Sequence, residues 1–132
     1  MRILIDTNVL LDYLVGRDPY YEYADRILEL CAEKKLEGFM AAHSISNIFY
    51  ILRKDMPEDQ RREILLRLCR ILQVVGIDQM KIVSPLNKRD FSDFEDSLQV
   101  ECAAAMQADY IITRNVKDFT RSNITPITAE AF

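Results

Sequence analysis

Apolar positions along the chain fall into short aliphatic runs separated by stretches of helical periodicity. Arg2 to Asp6 is such a run and predicts a buried strand, with Asp6-Thr7-Asn8 at its carboxyl end. Val9, Leu10, Tyr13 and Leu14 then recur at helical spacing; Thr7 or Asn8 is placed to cap that helix and Gly16 to end it. A second helix is expected from near Pro19 to about Lys34, with Tyr20, Ala24, Ile27, Leu28 and Cys31 on its apolar face. Gly38 to Ala42 predicts a second strand. Ser44 or Ser46 starts a helix carrying Ile48, Ile51 and Leu52, and Pro57 opens another carrying Ile64, Leu65, Leu68 and Ile71, so the two form a helical hairpin. Gln73 to Ile77 reads as a third short strand, Asp78 to Val83 as a brief connecting helix, and Phe91 to Met106 as a longer one. Tyr110 to Thr113 repeats the aliphatic strand running into polar residues, here Arg114-Asn115, and Thr125 to Thr128 adds an edge strand. Strands alternating with helices imply an α/β fold: a three-layer α/β/α arrangement around a mostly parallel, Rossmann-like central sheet.

Residues 1–132 suffice for one domain, and neither a repeat nor a linker divides them. No apolar run approaches the length of a membrane span, and the opening Met1 to Asp6 lacks the basic and apolar regions of an export signal, so a cytoplasmic, non-membrane protein is expected. Cys31, Cys69 and Cys102 are odd in number, widely spaced and set among apolar residues of predicted helices. They read as buried thiols rather than disulfides or a metal site. The net charge of −4 gives no overall basic footprint, so a nucleic-acid substrate would need a local basic patch, a partner chain or metal ions to offset phosphate repulsion. His43, read as a helix-start or loop residue, is the sole histidine, which disfavours Ser- and Cys-nucleophile triads. No phosphate-binding glycine motif is present. Tyr20, Tyr21 and Tyr23 offer base-stacking surfaces, although at helical spacing such a cluster more often serves a core or an interface.

The chemistry lies in the acids. In open α/β sheets, function collects beyond the carboxyl ends of the strands, and two predicted strands run into Asp6-Thr7-Asn8 and Thr113-Arg114-Asn115. The helix before the second of these opens with Asp93, Glu95 and Asp96, placing three more carboxylates toward the same rim. Asp118 follows one turn past the strand end. Each acid taken singly has a plain structural explanation as a helix cap or first-turn residue. Several carboxylates on one rim require a counter-charge, and Mg²⁺ or Mn²⁺ suits an all-oxygen set.

These segments resemble the PIN domain family, in the VapC-type toxin group whose chains carry Asp-Thr-Asn-Val-Leu-Leu-Asp (6–12), Asp-Phe-Glu-Asp (93–96) and Thr-Arg-Asn-x-x-Asp-Phe (113–119). The order and spacing of the three span nearly the whole chain. The resemblance implies a metal-dependent endoribonuclease. Asp6 and Asp96 match the first and third family acids, and Asn115 and Asp118 cover the region of the fourth. Thr7, Asn8 and Thr113 would support the metal shell or phosphate, and Arg114 is either a contact to a flanking phosphate or a surface cation. Many family members place a Glu in the helix after the second strand, where this chain has Asn47. An amide offers an oxygen but no charge, so Glu95 or Asp93 would have to supply the missing carboxylate. The resemblance further implies an RNA substrate, a small antitoxin partner and a homodimer. The competing reading is a catalytically weak PIN-like domain that binds RNA or a protein, motivated by Asn47 and the acidic net charge. A receiver-type phosphoryl-transfer domain would share the strand-end Asp6 but lacks a clear acidic pair or nucleotide loop.

Overall fold

Five strands, β1 (Arg2–Ile5), β2 (Glu37–Ala41), β3 (Gln73–Val75), β4 (Tyr110–Ile112) and β5 (Thr125–Ile127), pair in the order β3-β2-β1-β4-β5, and every pairing is parallel. This is a computed structural model that describes residues 1–89 and 93–132. Among the described residues, six α-helices connect the strands: α1 (Thr7–Val15), α2 (Tyr21–Ala32), α3 (Ala42–Ile51), α4 (Glu58–Ile71), α5 (Gln79–Leu86) and α6 (Phe94–Ala105).

Side-chain alternation along the strands divides the core into two halves. Ile3 and Ile5, Met40 and Ile112 face one side of the sheet, where they meet Val9, Leu10, Ile27, Leu28, Ile48 and Leu68 from α1 to α4. Leu4, Phe39, Ala41 and Ile111 face the other, against Cys102 and Ala103 of α6 and Phe119. Covered on both faces, the central strands are apolar throughout, and each fully buried aliphatic side chain stabilises the fold by about 1.5–3 kcal/mol. Gly38 in β2 marks a close approach of α2 and α4: a Cβ there would meet Leu72 and come within 2.6 Å of Cys31 Sγ.

Several boundaries differ from the sequence reading for identifiable reasons. Asp6, rather than Thr7 or Asn8, is the N-cap of α1, because the helix starts directly at the strand end and the Asp6 carboxylate reaches back to the Thr7 amide. Gly16 ends that helix in the left-handed conformation at φ 68°, as its lack of a Cβ allows. Neither Ser44 nor Ser46 caps α3. The helix begins two residues earlier at Ala42, and Ser44 is buried inside it. α5 starts behind Asp78, which accepts from the Lys81 amide, and runs past Val83 through Pro85 to Leu86; near a C-terminus, proline forfeits only one helical bond. Phe91 and Ser92, with which the sequence reading opens the helix before β4, lie outside the described residues, and α6 is described from Phe94. Cys69 is exposed on α4, whereas Cys31 and Cys102 are buried.

Candidate metal-binding acidic site

The carboxyl ends of β1 and β4 lie side by side at the point where the connections switch from one face of the sheet to the other. The Asp6 amide donates to Ile112 O at 2.9 Å, the last rung between these strands. Its side chain is only 5% exposed, with Oδ1 accepting from the Thr7 amide at 2.8 Å and Oδ2 from Thr113 Oγ1 at 2.9 Å. Burial nevertheless pushes the Asp6 carboxyl above its ordinary range, outweighing both hydrogen bonds, and Glu95 and Asp93 add to the rise by repulsion. Thr113, itself buried, also accepts from the Asn115 amide at 3.1 Å, so the loop after β4 is fastened to the same hydroxyl that steadies Asp6.

α6 delivers the other acids. Asp93 is its N-cap, with Oδ1 accepting from the Glu95 amide at 2.8 Å, and Glu95 and Asp96 occupy the first turn, where the positive helix end favours them. Burial raises the Asp96 carboxyl to about 7, and Asp93, Asp6, Asp118 and Glu95 all add repulsion. Asp118 stands in the short turn Val116–Phe119 beyond β4, exposed and close enough to take part in this field. The structure therefore brings Asp6, Asp93, Glu95, Asp96 and Asp118 into one electrostatic cluster. None of the five forms an ion pair among the described residues. Nor do three of them close into a preformed metal cage among the described residues. Asn47 enters from α3, its Nδ2 donating to Glu95 Oε1 at 2.6 Å, so the amide fixes a carboxylate from the facing helix.

Other predicted residues sit at different distances from this centre. Asn8 is half-buried in the first turn of α1 and Asn115 is exposed just before the turn that carries Asp118. Arg114 is directed to Asp12: its Nε lies 3.1 Å from Asp12 Oδ2, and its guanidinium covers the Tyr20 ring at 4.3 Å. Asp12 is 1% exposed, and burial raises its carboxyl despite the opposing pull of Arg114 and Arg17. This pair joins the ends of the first and last motifs, a tie the sequence reading did not foresee.

A second unforeseen feature lies behind Asp6. Gln99, fully buried on α6, donates from Nε2 to Thr7 Oγ1 at 3.2 Å and to Ser44 Oγ at 3.1 Å, and those two hydroxyls are 2.8 Å apart. His43 Nε2 lies 3.5 Å from the same Gln99 nitrogen, and burial lowers the His43 pKa, favouring the neutral ring. Three elements that carry site residues, α1, α3 and α6, are thus tied by one polar network. Its only trace in the sequence is a glutamine three residues beyond Asp96, on the side of the helix that the apolar positions mark as buried.

A family model described as PIN domain matches residues 2–117. The chain belongs to the PIN domain family. The matched span takes in Asp6, Asn47, Asp93 to Asp96 and Thr113 to Asn115, and stops one residue short of Asp118. Among solved structures, this PIN domain is similar to VapC20 of Mycobacterium tuberculosis, titled a sarcin-ricin-loop-cleaving toxin, at 15% identity and TM-score 0.73, covering 96% of this chain and 98% of that one. It is similar to VapBC of Salmonella typhimurium, a structure titled as bound to DNA, at 15% identity and TM-score 0.73 with 98% of each chain covered. VapBC2 of Rickettsia felis, titled as bound to a DNA fragment from its promoter, aligns at 18% identity and TM-score 0.71, covering 97% of this chain and 98% of that one. At such identities these likenesses establish the fold. No curated protein sequence matches the chain.

Proposed function

We propose that this PIN domain is a metal-dependent endoribonuclease. The observation that carries the reading is the acidic rim: five carboxylates gather where burial, with their mutual repulsion added, raises Asp96 to about 7, and no cationic side chain is paired to any of them among the described residues. An all-oxygen, uncompensated donor set fits Mg²⁺ or Mn²⁺, which bind such ligands while retaining several waters. Asp6 and Asp96 would hold the ion, with Glu95 the carboxylate best placed to join them. Asp93 has one oxygen committed to capping α6, whereas Glu95 is oriented by Asn47. When bound, the metal supplies Lewis acidity and activates water for attack on a phosphodiester. The chain's own part is positional. Thr7 N–H and Thr113 Oγ1 fix both oxygens of Asp6, Asn47 fixes Glu95, and Asp118, Asn115 and Asn8 line the approach to the cluster.

Asn47 therefore does not leave the position empty of charge; it recruits Glu95 from the facing helix. The similarity to VapC and VapBC structures supports a toxin role with a small antitoxin partner, and the same proposal takes the protein to be a cytoplasmic homodimer. No helix among the described residues is long and apolar enough to cross a membrane.

The test is cleavage of a pool of structured and single-stranded RNAs with Mn²⁺ or Mg²⁺ by the purified protein, beside Asp6→Asn and Asp96→Asn. Cleavage that needs metal and is lost in both variants is the expected result. A folded protein that binds RNA but cuts nothing in that pool would instead favour a catalytically weak binding domain. That second reading draws on the absence of a closed three-acid cage among the described residues.

A further inference from the structure

On the outer side of α6, away from the sheet, the C-terminal end of α5 and the chain at 121–124 enclose a groove of about 380 Å³. Its floor is apolar and its walls are basic. Phe94 is 42% exposed and Leu86 63% exposed, and Lys88, Arg89, Arg121 and the carboxylate Glu101 are among the described residues that line the groove. Lys88 and Arg89 form no ion pair among the described residues. Among the described residues that line the groove, Lys88 and Arg89 outnumber the carboxylate Glu101, in a chain whose net charge is −4.

The groove and the acidic rim are built on the same elements. Phe94 lies between Asp93 and Glu95 in sequence and, with Ser97, shares the first turn of α6 with Asp96. The opposite wall, Arg121 to Ile124, follows directly on the turn that carries Asp118. The groove thus begins on the same helical turn that carries Asp96. A basic channel with an exposed aromatic ring at its mouth is the arrangement that holds a single-stranded nucleic acid, the cations on phosphates and the ring under a base.

We propose that this groove holds the single-stranded RNA flanking the cleaved bond, with phosphates against Lys88 and Arg89 and a base stacked on Phe94. The proposal rests on the ribonuclease reading above and locates its substrate. Arg121 forms the facing wall, and Glu101, about two turns along α6 from Phe94, marks the end where phosphate is least favoured.

The test measures anisotropy of a labelled single-stranded RNA about 12 nucleotides long, bound to the Asp6→Asn protein so that cleavage does not intervene. Lys88→Glu with Arg89→Glu should weaken binding by at least about tenfold, and should reduce the slope of log Kd against log salt by about 1.4, two phosphate contacts at about 0.7 each. Lys88→Gln with Arg89→Gln, a milder pair, should show the same slope change. Phe94→Ala should weaken binding by about tenfold and leave the slope unchanged. Lys35→Glu with Arg70→Glu makes the same charge change away from the rim and should alter Kd by less than about twofold.

Unchanged affinity and slope in the Lys88/Arg89 variants would overturn the proposal, as would an equal loss in the Lys35/Arg70 control or a parent protein that binds no RNA. A Phe94→Ala protein that passes from dimer to monomer in sedimentation with RNA affinity intact would assign the groove to a protein interface instead. Failure of the ribonuclease reading is a separate result, seen as absence of cleavage by the unmodified protein. Cleavage with KM untouched by the Lys88/Arg89 reversal overturns the groove alone.

Discussion

Asp96 should make the metal-free protein less stable as pH rises toward neutrality. Its carboxyl stands at about 7 in the folded chain against an ordinary 3.8. Between those values the folded protein holds a proton that the unfolded chain has released, so the unfolding free energy falls with rising pH across this window and levels off above about 7. At about 1.4 kcal/mol per pH unit the full rise sets an upper bound of about 4 kcal/mol. The cluster opens to solvent at Asp118, Asp93 and Glu95, and screening there reduces the expected effect to about 1–2 kcal/mol. For a chain of this length that corresponds to a drop of roughly 4–7 °C in Tm between about pH 5 and pH 8 in a chelating buffer. Asp96→Asn keeps the position neutral. It should remove the part of the slope due to Asp96, leaving that of Asp6 and Asp12, which are raised in the same direction, and at about pH 8 should melt above the unmodified protein by a similar margin. Adding Mn²⁺ should raise the Tm of the unmodified protein and leave that of the variant nearly unchanged, since a bound cation stabilises N and not U. A Tm that is flat with pH, or an Asp96→Asn protein less stable at about pH 8 without metal, would refute the argument that burial and repulsion leave the Asp96 charge uncompensated.

Other residues allow simpler tests. Asn47→Ala removes the donor to Glu95 Oε1 and should weaken Mn²⁺ binding, read by calorimetry, by about three- to tenfold with Tm nearly unchanged, because a partly exposed hydrogen bond contributes only about 1 kcal/mol. Gln99→Met keeps volume but leaves Thr7 and Ser44 without their shared donor, and should cost about 1–3 kcal/mol in urea unfolding. Asp12→Ala strands the Arg114 guanidinium against Tyr20 and should cost about 2–3 kcal/mol, the lower end for a buried pair because Arg114 retains 28% side-chain exposure. Gly38→Ala would press on Leu72 and Cys31 Sγ and should cost about 1–3 kcal/mol by the same measurement.

Which parts of this molecule could be read from the sequence follows from the range of the forces involved. Strands β1 and β4 were legible because burial on both faces demands aliphatic runs, and the polar residue that ends each run is where the chain leaves the sheet. The parallel sheet followed from the alternation of elements. Helix starts were less legible: an aspartate at a strand end can serve the strand, the cap and the site together, so Asp6 displaced Thr7 and Asn8 as the cap. The acids of the rim were found because their positions relative to strand ends are local facts. The partners of those acids were not, because they depend on pairings across the fold. Asn47 with Glu95 spans 48 residues and Gln99 with Thr7 spans 92, and no periodicity within one element carries either. Arg114 illustrates the same limit: its motif put a cation near the rim, but only the packing of α1 against the loop after β4 turned it toward Asp12.

The fold already supplies several means of holding like charges together. Asp6 and Asp93 both sit at helix N-termini, where backbone amides and the helix dipole favour an anion. Thr113 donates to Asp6, and Asn47 donates to Glu95. If these donors sufficed, the carboxyls would titrate near or below their ordinary range, as they do where hydrogen bonds to the charged form prevail. Burial instead raises Asp6 in spite of its two hydrogen bonds, and raises Asp96, to which no donor is directed among the described hydrogen bonds, to about 7. The cost of ionisation, from burial first and repulsion second, therefore falls on an acid with no donor among the described hydrogen bonds and four carboxylate neighbours. A structural role for these residues would have been served by fewer acids or by a nearby lysine. The proposed cation would compensate the charge that the rim's own donors leave, and Asp96 is the position at which its arrival should be felt most.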